Sequence, residues 1–430
     1  MGRFYIKNEG EGIYSLQFIV YSLRFRVISK DRIEGDLISI NKKLQPLSWL
    51  YGLGVSFRNL LFEMGVLKSR SYSTPVISVG NITVGGTGKT PHVEYLVRLL
   101  KDKAKVAVLS RGYKRKTRGF VLAGEEATAS TIGDEPYQMK TKFPDIAVAV
   151  DKKRTRGIER LTSGEYVKDI DVILLDDAFQ HRYVKPGINI LLVDYHRLII
   201  YDTLLPAGRL REPVKSKDRA DIVIVTKCPK DLKPMEFRVI TKAMSLYPYQ
   251  KLFFSSHEFE GLRPVFPTNQ NTQSSQISQT LSEALADQNV LLLTGIASPE
   301  QMLNDLKGYA KAVTPLAFSD HHRFKENDVK QINEAFSALP SPKMIITTEK
   351  DETRLMQVEG LSDEVKRCLY ALPIRIQILL DQEESFNQCI ISYVRKNSRN
   401  SILAQSKDDH KPKDSDYSGN RPRTISFRNN

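Results

Sequence analysis

The chain has 430 residues, 41 % of them apolar and 27 % charged, with 64 Lys or Arg against 50 Asp or Glu and a formal charge of +14. That length suits two or three domains with sizeable cores, and the balance excludes a wholly disordered chain, a collagen-like repeat and a polytopic membrane protein. Cys228, Cys368 and Cys389 are too far apart for a disulfide framework or a structural zinc site, and the basic excess points to an anionic partner: nucleic acid, nucleotide phosphates or an acidic membrane surface.

Residues 1–43 hold a short apolar run, Ile13 to Leu23, closed by Arg24 and Arg26. No small-residue cleavage site follows, so a secretory signal is not expected. Ile6 stands where a myristoylation pattern wants Ser or Thr. The segment reads as a poorly structured extension. Residues 44–69 come next, uncharged for 14 residues before Arg58. A bilayer span needs about 20. Trp49 and Tyr51 are amphipathic aromatics of the kind found at membrane interfaces. Two readings stay open: a helix lying in the membrane surface, with Arg58 and Lys68 near lipid phosphates, or a helix packed on its own domain's core.

From residue 70 onward, short apolar runs alternate with helical segments. The runs are Val76–Val79, Val106–Leu109, Ile146–Val150, Val172–Leu175, Ile188–Val193 and Ile222–Val225. Consecutive apolar residues suit strands buried on both faces. Strands alternating with helices predict a parallel sheet with helices on both faces, an α/β layer fold. After the polar stretch 268–280, read as a surface loop, the pattern resumes with Val290–Leu293, a helix from about Pro299, and Lys343–Thr347. The expected division is a core over 70–230 and a second, smaller α/β domain over 231–395. Residues 396–430 carry eight Lys or Arg and four Asp or Glu with few apolar residues, and read as a disordered basic tail.

The first strand runs into Val79–Pro91, VGNITVGGTGKTP. A strand, a glycine-rich turn, Gly-Lys-Thr and a helix are the context of a P-loop. Thr83, Val84, Gly85, Gly86, Thr87 and Gly88 would cradle phosphates with backbone N–H groups at a helix N-terminus. Lys89 would bridge the β- and γ-phosphates, and the Thr90 hydroxyl would bind Mg²⁺. Thr83 departs from the usual pattern, which has glycine there. The run ending in Asp176 and Asp177 supplies the second acidic group for Mg²⁺ at the end of a neighbouring strand; helix capping is the competing use of such a pair. His181 and Arg182 follow. The strand that ends in Thr226–Pro229, TKCP, lacks the Asn and Asp of a guanine-reading motif.

Six segments now occur in order: SVGNITVGGTGKTP, SRGYKR (110–115), GDEPYQM (133–139), LLDDAFQHR (174–182), LLPAGRLREP (204–213) and FSDHHRF (318–324). With PLSWLYG at 46–52, the chain strongly resembles the tetraacyldisaccharide 4′-kinase family, the lipid A pathway kinases of Gram-negative bacteria. The resemblance covers about residues 44–380. Ala178 stands where the family usually has glycine. The resemblance implies a P-loop NTPase-like fold and ATP and Mg²⁺ as cofactors. It implies transfer of the γ-phosphate to the 4′-hydroxyl of tetraacyldisaccharide 1-phosphate, giving lipid IV-A. It implies a peripheral enzyme on the cytoplasmic face of the inner membrane. No nucleic acid and no obligate protein partner is expected on this reading. Asp134 of the GDEP motif would be the base, working with His321 of the DHH motif; His322 is its rival. Arg111, His181, Arg209, Arg211 and Glu212 are candidates for contact with phosphate or sugar. Lys152, Lys153, Arg154 and Arg156 would hold a phosphate or the membrane surface, or else form a solvated basic face.

Two other classes compete. A P-loop switch ATPase that binds DNA or a protein partner predicts salt-dependent DNA binding and partner-stimulated turnover. A non-enzymatic membrane-surface protein predicts no loss of function on Lys89→Ala.

Overall fold

The computed structural model describes residues 38, 40–266, 281–296, 299–320 and 322–397. The extension expected over 1–43, the loop at 268–280 and the tail after 397 lie largely or wholly outside these residues, as does His321.

A first helix, α1 (Gln45–Glu63), precedes the sheet. The strands β1 (Val76–Gly80), β2 (Val106–Ser110), β3 (Val121–Leu122), β4 (Ala147–Val150), β5 (Val172–Asp176), β6 (Ile188–Asp194), β7 (Ile222–Thr226), β8 (Lys251–Phe259) and β14 (Ile374–Ile378) form one nine-stranded sheet. Its order is β14-β8-β7-β6-β1-β5-β2-β4-β3, parallel except at the edge strands β3 and β14. Burial is complete along β1, β2, β5 and β7, as the unbroken apolar runs require. Helices α2 (Lys89–Leu100), α3 (Asp134–Lys142), α4 (Arg154–Thr162) and α5 (Pro234–Met244) belong to this first unit.

The second sheet runs β11 (Ala312–Ala317), β10 (Asn289–Thr294), β12 (Lys343–Thr347), β13 (Leu369–Ala371) and β9 (Arg263–Pro264). Helices α6 (Glu300–Lys307), α7 (Glu326–Ser337) and α8 (Glu349–Leu355) flank it around a core of its own that includes Leu291, Ile332, Phe336 and Ile345.

The expected division at residue 230 differs from this pairing. Strand β8 extends the first sheet, and the chain leaves it only after Phe259. It returns with β14, which pairs antiparallel with β8. The closing helix α9 (Glu383–Asn397) then buries Phe386, Ile390 and Val394 in the first core. The Tyr393 hydroxyl accepts the N–H of Val76, at the start of β1. Sheet membership is a long-range property that local patterning does not carry, so the second unit is an insertion between β8 and β14.

The units meet through buried charge. Lys142 of α3 lies 2.7 Å from Glu94 of α2 and 2.8 Å from Glu349 of α8. Gln138 also donates to Glu94. Burial raises the Glu94 carboxyl and Lys142 opposes that. Removing the cation leaves two buried carboxylates facing one another. We expect Lys142→Met to cost about 3–5 kcal/mol in urea unfolding. A loss below about 1 kcal/mol would mean the joint is solvated in solution.

Candidate active site

Because its strands are parallel, the first sheet places several strand ends at one edge, where α/β proteins bind ligands. There β1 gives way to the glycine-rich turn. Gly88 sits at φ 80°, a left-handed conformation, directly before α2. Thr83 is absent from the positive-φ residues, so this position does not demand glycine. It is buried instead, and pairs as an antiparallel bridge with Leu210. The N–H of Val84 donates to the carbonyl of Arg209 (2.8 Å), and that of Arg211 donates to Ile82 (2.7 Å). Asn81 donates to the hydroxyls of Thr87 (2.9 Å) and Thr83 (3.3 Å). Thr226 of β7 donates to the Thr87 carbonyl (3.1 Å). The loop Leu204–Glu212 thus braces the turn from one side and β7 from another. Gly85, Gly86 and Val84 stay accessible at its tip, and Lys89 and Thr90 open α2.

Asp176 ends β5, in register with Val79 of the neighbouring strand β1. It is buried, and burial lifts its carboxyl to about 6. Asp177 adds to that rise, with Glu135, while Lys89 and Arg154 oppose it. Ser110, ending β2, donates to Oδ2 of Asp176 (3.3 Å). Its Oδ1 is buried without a hydrogen-bond partner. Asp177 stands at φ 47° with Lys89 3.7 Å from Oδ1 and Arg211 3.7 Å from Oδ2. A buried orphan carboxylate oxygen beside a lysine and a hydroxyl fits a small divalent cation that completes its shell with phosphate oxygens and water. Among the described residues there is no cluster of three or more His, Cys, Asp or Glu side chains arranged for a metal.

Asp134 is the first residue of α3. Gly133 before it holds φ 96°, and a Cβ there would lie 3.1 Å from the Tyr113 carbonyl, in the turn after β2. That close approach sets α3 beside the SRGYKR turn. Asp134 is gripped by Arg354 of α8. Glu135 lies 3.5 Å from Lys350, which pairs with Asp320 at 2.9 Å. Of the two DHH histidines, His321 is outside the described residues. His322 turns into the second unit, with Nε2 2.9 Å from Asp328 and its ring stacked on Phe318.

Other candidates separate. Arg111 and Arg209 are exposed. Arg154 is not a solvated charge: it is buried, and donates to the carbonyls of Asp151 and Asp176, each at 3.0 Å. Burial lowers its guanidinium to about 10. Arg156 chelates buried Asp151, while Lys152 and Lys153 are exposed. Glu212 is 2 % exposed and paired with Arg219 at 2.6 Å, so it holds the loop rather than facing a cleft. His181 is held neutral, its pKa lowered to about 4, first by burial and then by Arg154, Arg58 and Arg111.

Sequence reasoning missed His92, Asn81, Thr226 and Arg354. His92 is buried in α2 with Nδ1 2.7 Å from the Gly88 carbonyl and Nε2 3.0 Å from Ser255. Its position four residues after the last loop glycine is the one signal that pointed to it.

A strand–loop–helix phosphate cradle with a buried acidic strand end defines a P-loop phosphotransferase of the α/β class. The family described as tetraacyldisaccharide-1-P 4′-kinase matches residues 40–395. The tetraacyldisaccharide 4′-kinase of Bacteroides thetaiotaomicron is 55 % identical over 88 % of this chain and all of its own length. That of Phocaeicola vulgatus is 57 % identical over 86 % of this chain and 99 % of its own. The crystal structure of LpxK from Aquifex aeolicus in complex with ATP superposes with a TM-score of 0.62 at 30 % identity, covering 82 % of this chain and 99 % of that one. The chain belongs to the tetraacyldisaccharide 4′-kinase family.

Proposed function

We propose that the chain transfers the γ-phosphate of ATP to the 4′-hydroxyl of tetraacyldisaccharide 1-phosphate, giving lipid IV-A. The observation that carries the site assignment is the convergence of Lys89, the buried Asp176 and Asp177 at one sheet edge, with Asp134 opening the helix that follows the neighbouring turn. The turn 84–88 and Lys89 hold the phosphates. Thr90, Asp176 and Asp177 would hold Mg²⁺, which neutralises phosphate charge when bound. Asp134 accepts the proton as the acceptor oxygen bonds to γ-phosphorus. The bond from that phosphorus to the β–γ bridging oxygen breaks, and ADP leaves with the electron pair.

The acceptor is a lipid, and α1 suits a membrane surface. Its inner face is small or polar from Ser48 to Asn59, and Phe62 closes it against Tyr183. Ser48 accepts the N–H of Ala207 (2.9 Å), Tyr51 donates to the Arg211 carbonyl (2.9 Å), and Gly52 packs on Leu204. The outer face is apolar: Trp49 is 67 % exposed and Leu53 68 %, with Leu50, Phe57 and Leu60 beside them. A helix packed on its own core would show the reverse. No helix among the described residues is long and apolar enough to cross a membrane. We therefore place α1 in the interface of the inner membrane, on its cytoplasmic side. The pair Leu53→Ser and Phe57→Ser should weaken co-sedimentation with phosphatidylglycerol vesicles at least about 10-fold while ATP binding persists. Unchanged sedimentation would remove α1 from this role.

The transfer itself is tested with purified protein, Mg²⁺, labelled ATP and tetraacyldisaccharide 1-phosphate in detergent micelles. Label should appear in the lipid. Hydrolysis of ATP without lipid labelling would move the assignment to a switch ATPase.

A further inference from the structure

Arg354 reaches Asp134 from the other unit. Its Nε and Nη2 donate to the same oxygen, Oδ2, at 3.1 and 2.6 Å. Its Nη1 donates to Oδ1 of Asp351 at 2.9 Å. Asp351 is fully buried, and its Oδ2 accepts the Gly295 N–H and the Thr348 hydroxyl, both at 2.8 Å. The guanidinium is therefore clamped to the second sheet on one side and grips Asp134 on the other. Two donors of one planar fork on a single oxygen fix the plane and direction of the carboxylate.

We propose that Arg354 is a positioning residue for phosphoryl transfer: supplied by the second unit, it sets the orientation of the Asp134 carboxylate toward the acceptor hydroxyl. This deepens, and rests on, the reading of Asp134 as the base. Phosphoryl transfer has a loose transition state and depends chiefly on alignment. Asp351 on α8 shares the guanidinium, and Glu135, next to Asp134 on α3, lies 3.5 Å from Lys350, which also pairs with Asp320. The arrangement makes correct alignment of the base conditional on docking of the second unit.

The test measures kcat and KM for ATP of full-length Arg354→Gln, Arg354→Lys and Asp134→Asn, and of the double variant Arg354→Gln/Asp134→Asn. Arg354→Gln should lose about 10- to 100-fold in kcat with KM for ATP changed by less than about 3-fold. Arg354→Lys, which keeps the charge and loses the planar fork, should fall between. Asp134→Asn should lose about 100-fold or more, and Arg354→Gln should add nothing to it. Should Arg354→Gln fold poorly, Arg354→Lys and Asp351→Asn give the same readings. If Asp134→Asn keeps the wild-type kcat, the base assignment fails and this inference with it. If Asp134→Asn is impaired while the Arg354 variants keep kcat, or if their losses multiply with that of Asp134→Asn, Arg354 alone is overturned.

Discussion

Lys89→Ala is expected to lose phosphate transfer by about 100- to 1,000-fold, with the protein still folded. Lys89 opens α2 at the end of the glycine-rich turn, where the helix N-terminus already favours anions. Its ammonium is the mobile cation of the cradle. In the structure it lies 3.7 Å from Asp177, a distance too long for a tight pair. A phosphate with more charge and better geometry would draw it away. Charge that develops on the transferring group then goes unmatched in the variant, which is the source of the estimate. Because the pair with Asp177 is loose and part-exposed, its loss should barely change the thermal midpoint. The assay is lipid labelling, with thermal unfolding run in parallel. Transfer within about 3-fold of wild type would show that the cradle works without it and would overturn the role given to Lys89.

Asp176→Asn should be inactive in transfer and yet more heat-stable than the parent without nucleotide. Asp176 ionises near 3.8 when unfolded and near 6 in the fold, because burial and Asp177 disfavour its charge. Between those values the folded protein binds more protons than the unfolded chain. Stability therefore falls as pH rises from about 4 to about 6, and the penalty is complete above that. It amounts to roughly 3 kcal/mol. Asparagine carries no such charge. The gap in thermal midpoint between variant and parent should be near zero at about pH 4 and full by about pH 7. Adding ATP with Mg²⁺ should raise the parent and narrow it. A parent as stable as the variant at neutral pH would mean that the carboxylate is satisfied in solution.

Much of the first unit was legible from local patterning. Unbroken apolar runs gave six of its strands, and the glycine-rich turn with Lys89 and Thr90 announced the cradle. What was hidden depends on partners far along the chain. β14 alternates Ile374, Ile376 and Ile378, a readable strand, but nothing local says that it returns to the first sheet. Arg154 sits in a basic cluster for which a solvated face was one reading, and Arg354 in a charge-rich helix without a motif. Both are buried because they serve carbonyls or carboxylates on other elements. For α1, the uncharged stretch with Trp49 and Tyr51 left open whether its apolar residues faced a membrane or the chain's own core. The contacts of Ser48, Tyr51 and Gly52 with the loop 204–211 answer that.

The hydroxyl of Tyr393 on the Val76 N–H ties the last described helix to the first strand across almost the whole chain. During synthesis β1 emerges early and the helix that covers its start emerges near the end. The first core therefore cannot close while the ribosome is still making the insertion. The insertion, with its own core of Leu291, Ile332, Phe336 and Ile345, is complete by then and free to fold ahead of its host. A nascent chain halted before Glu383 should hold a protease-resistant second unit inside an unfinished first one. Long-range closure of this kind is slow, and the open sheet edge awaiting β14 and α9 is where aggregation would begin.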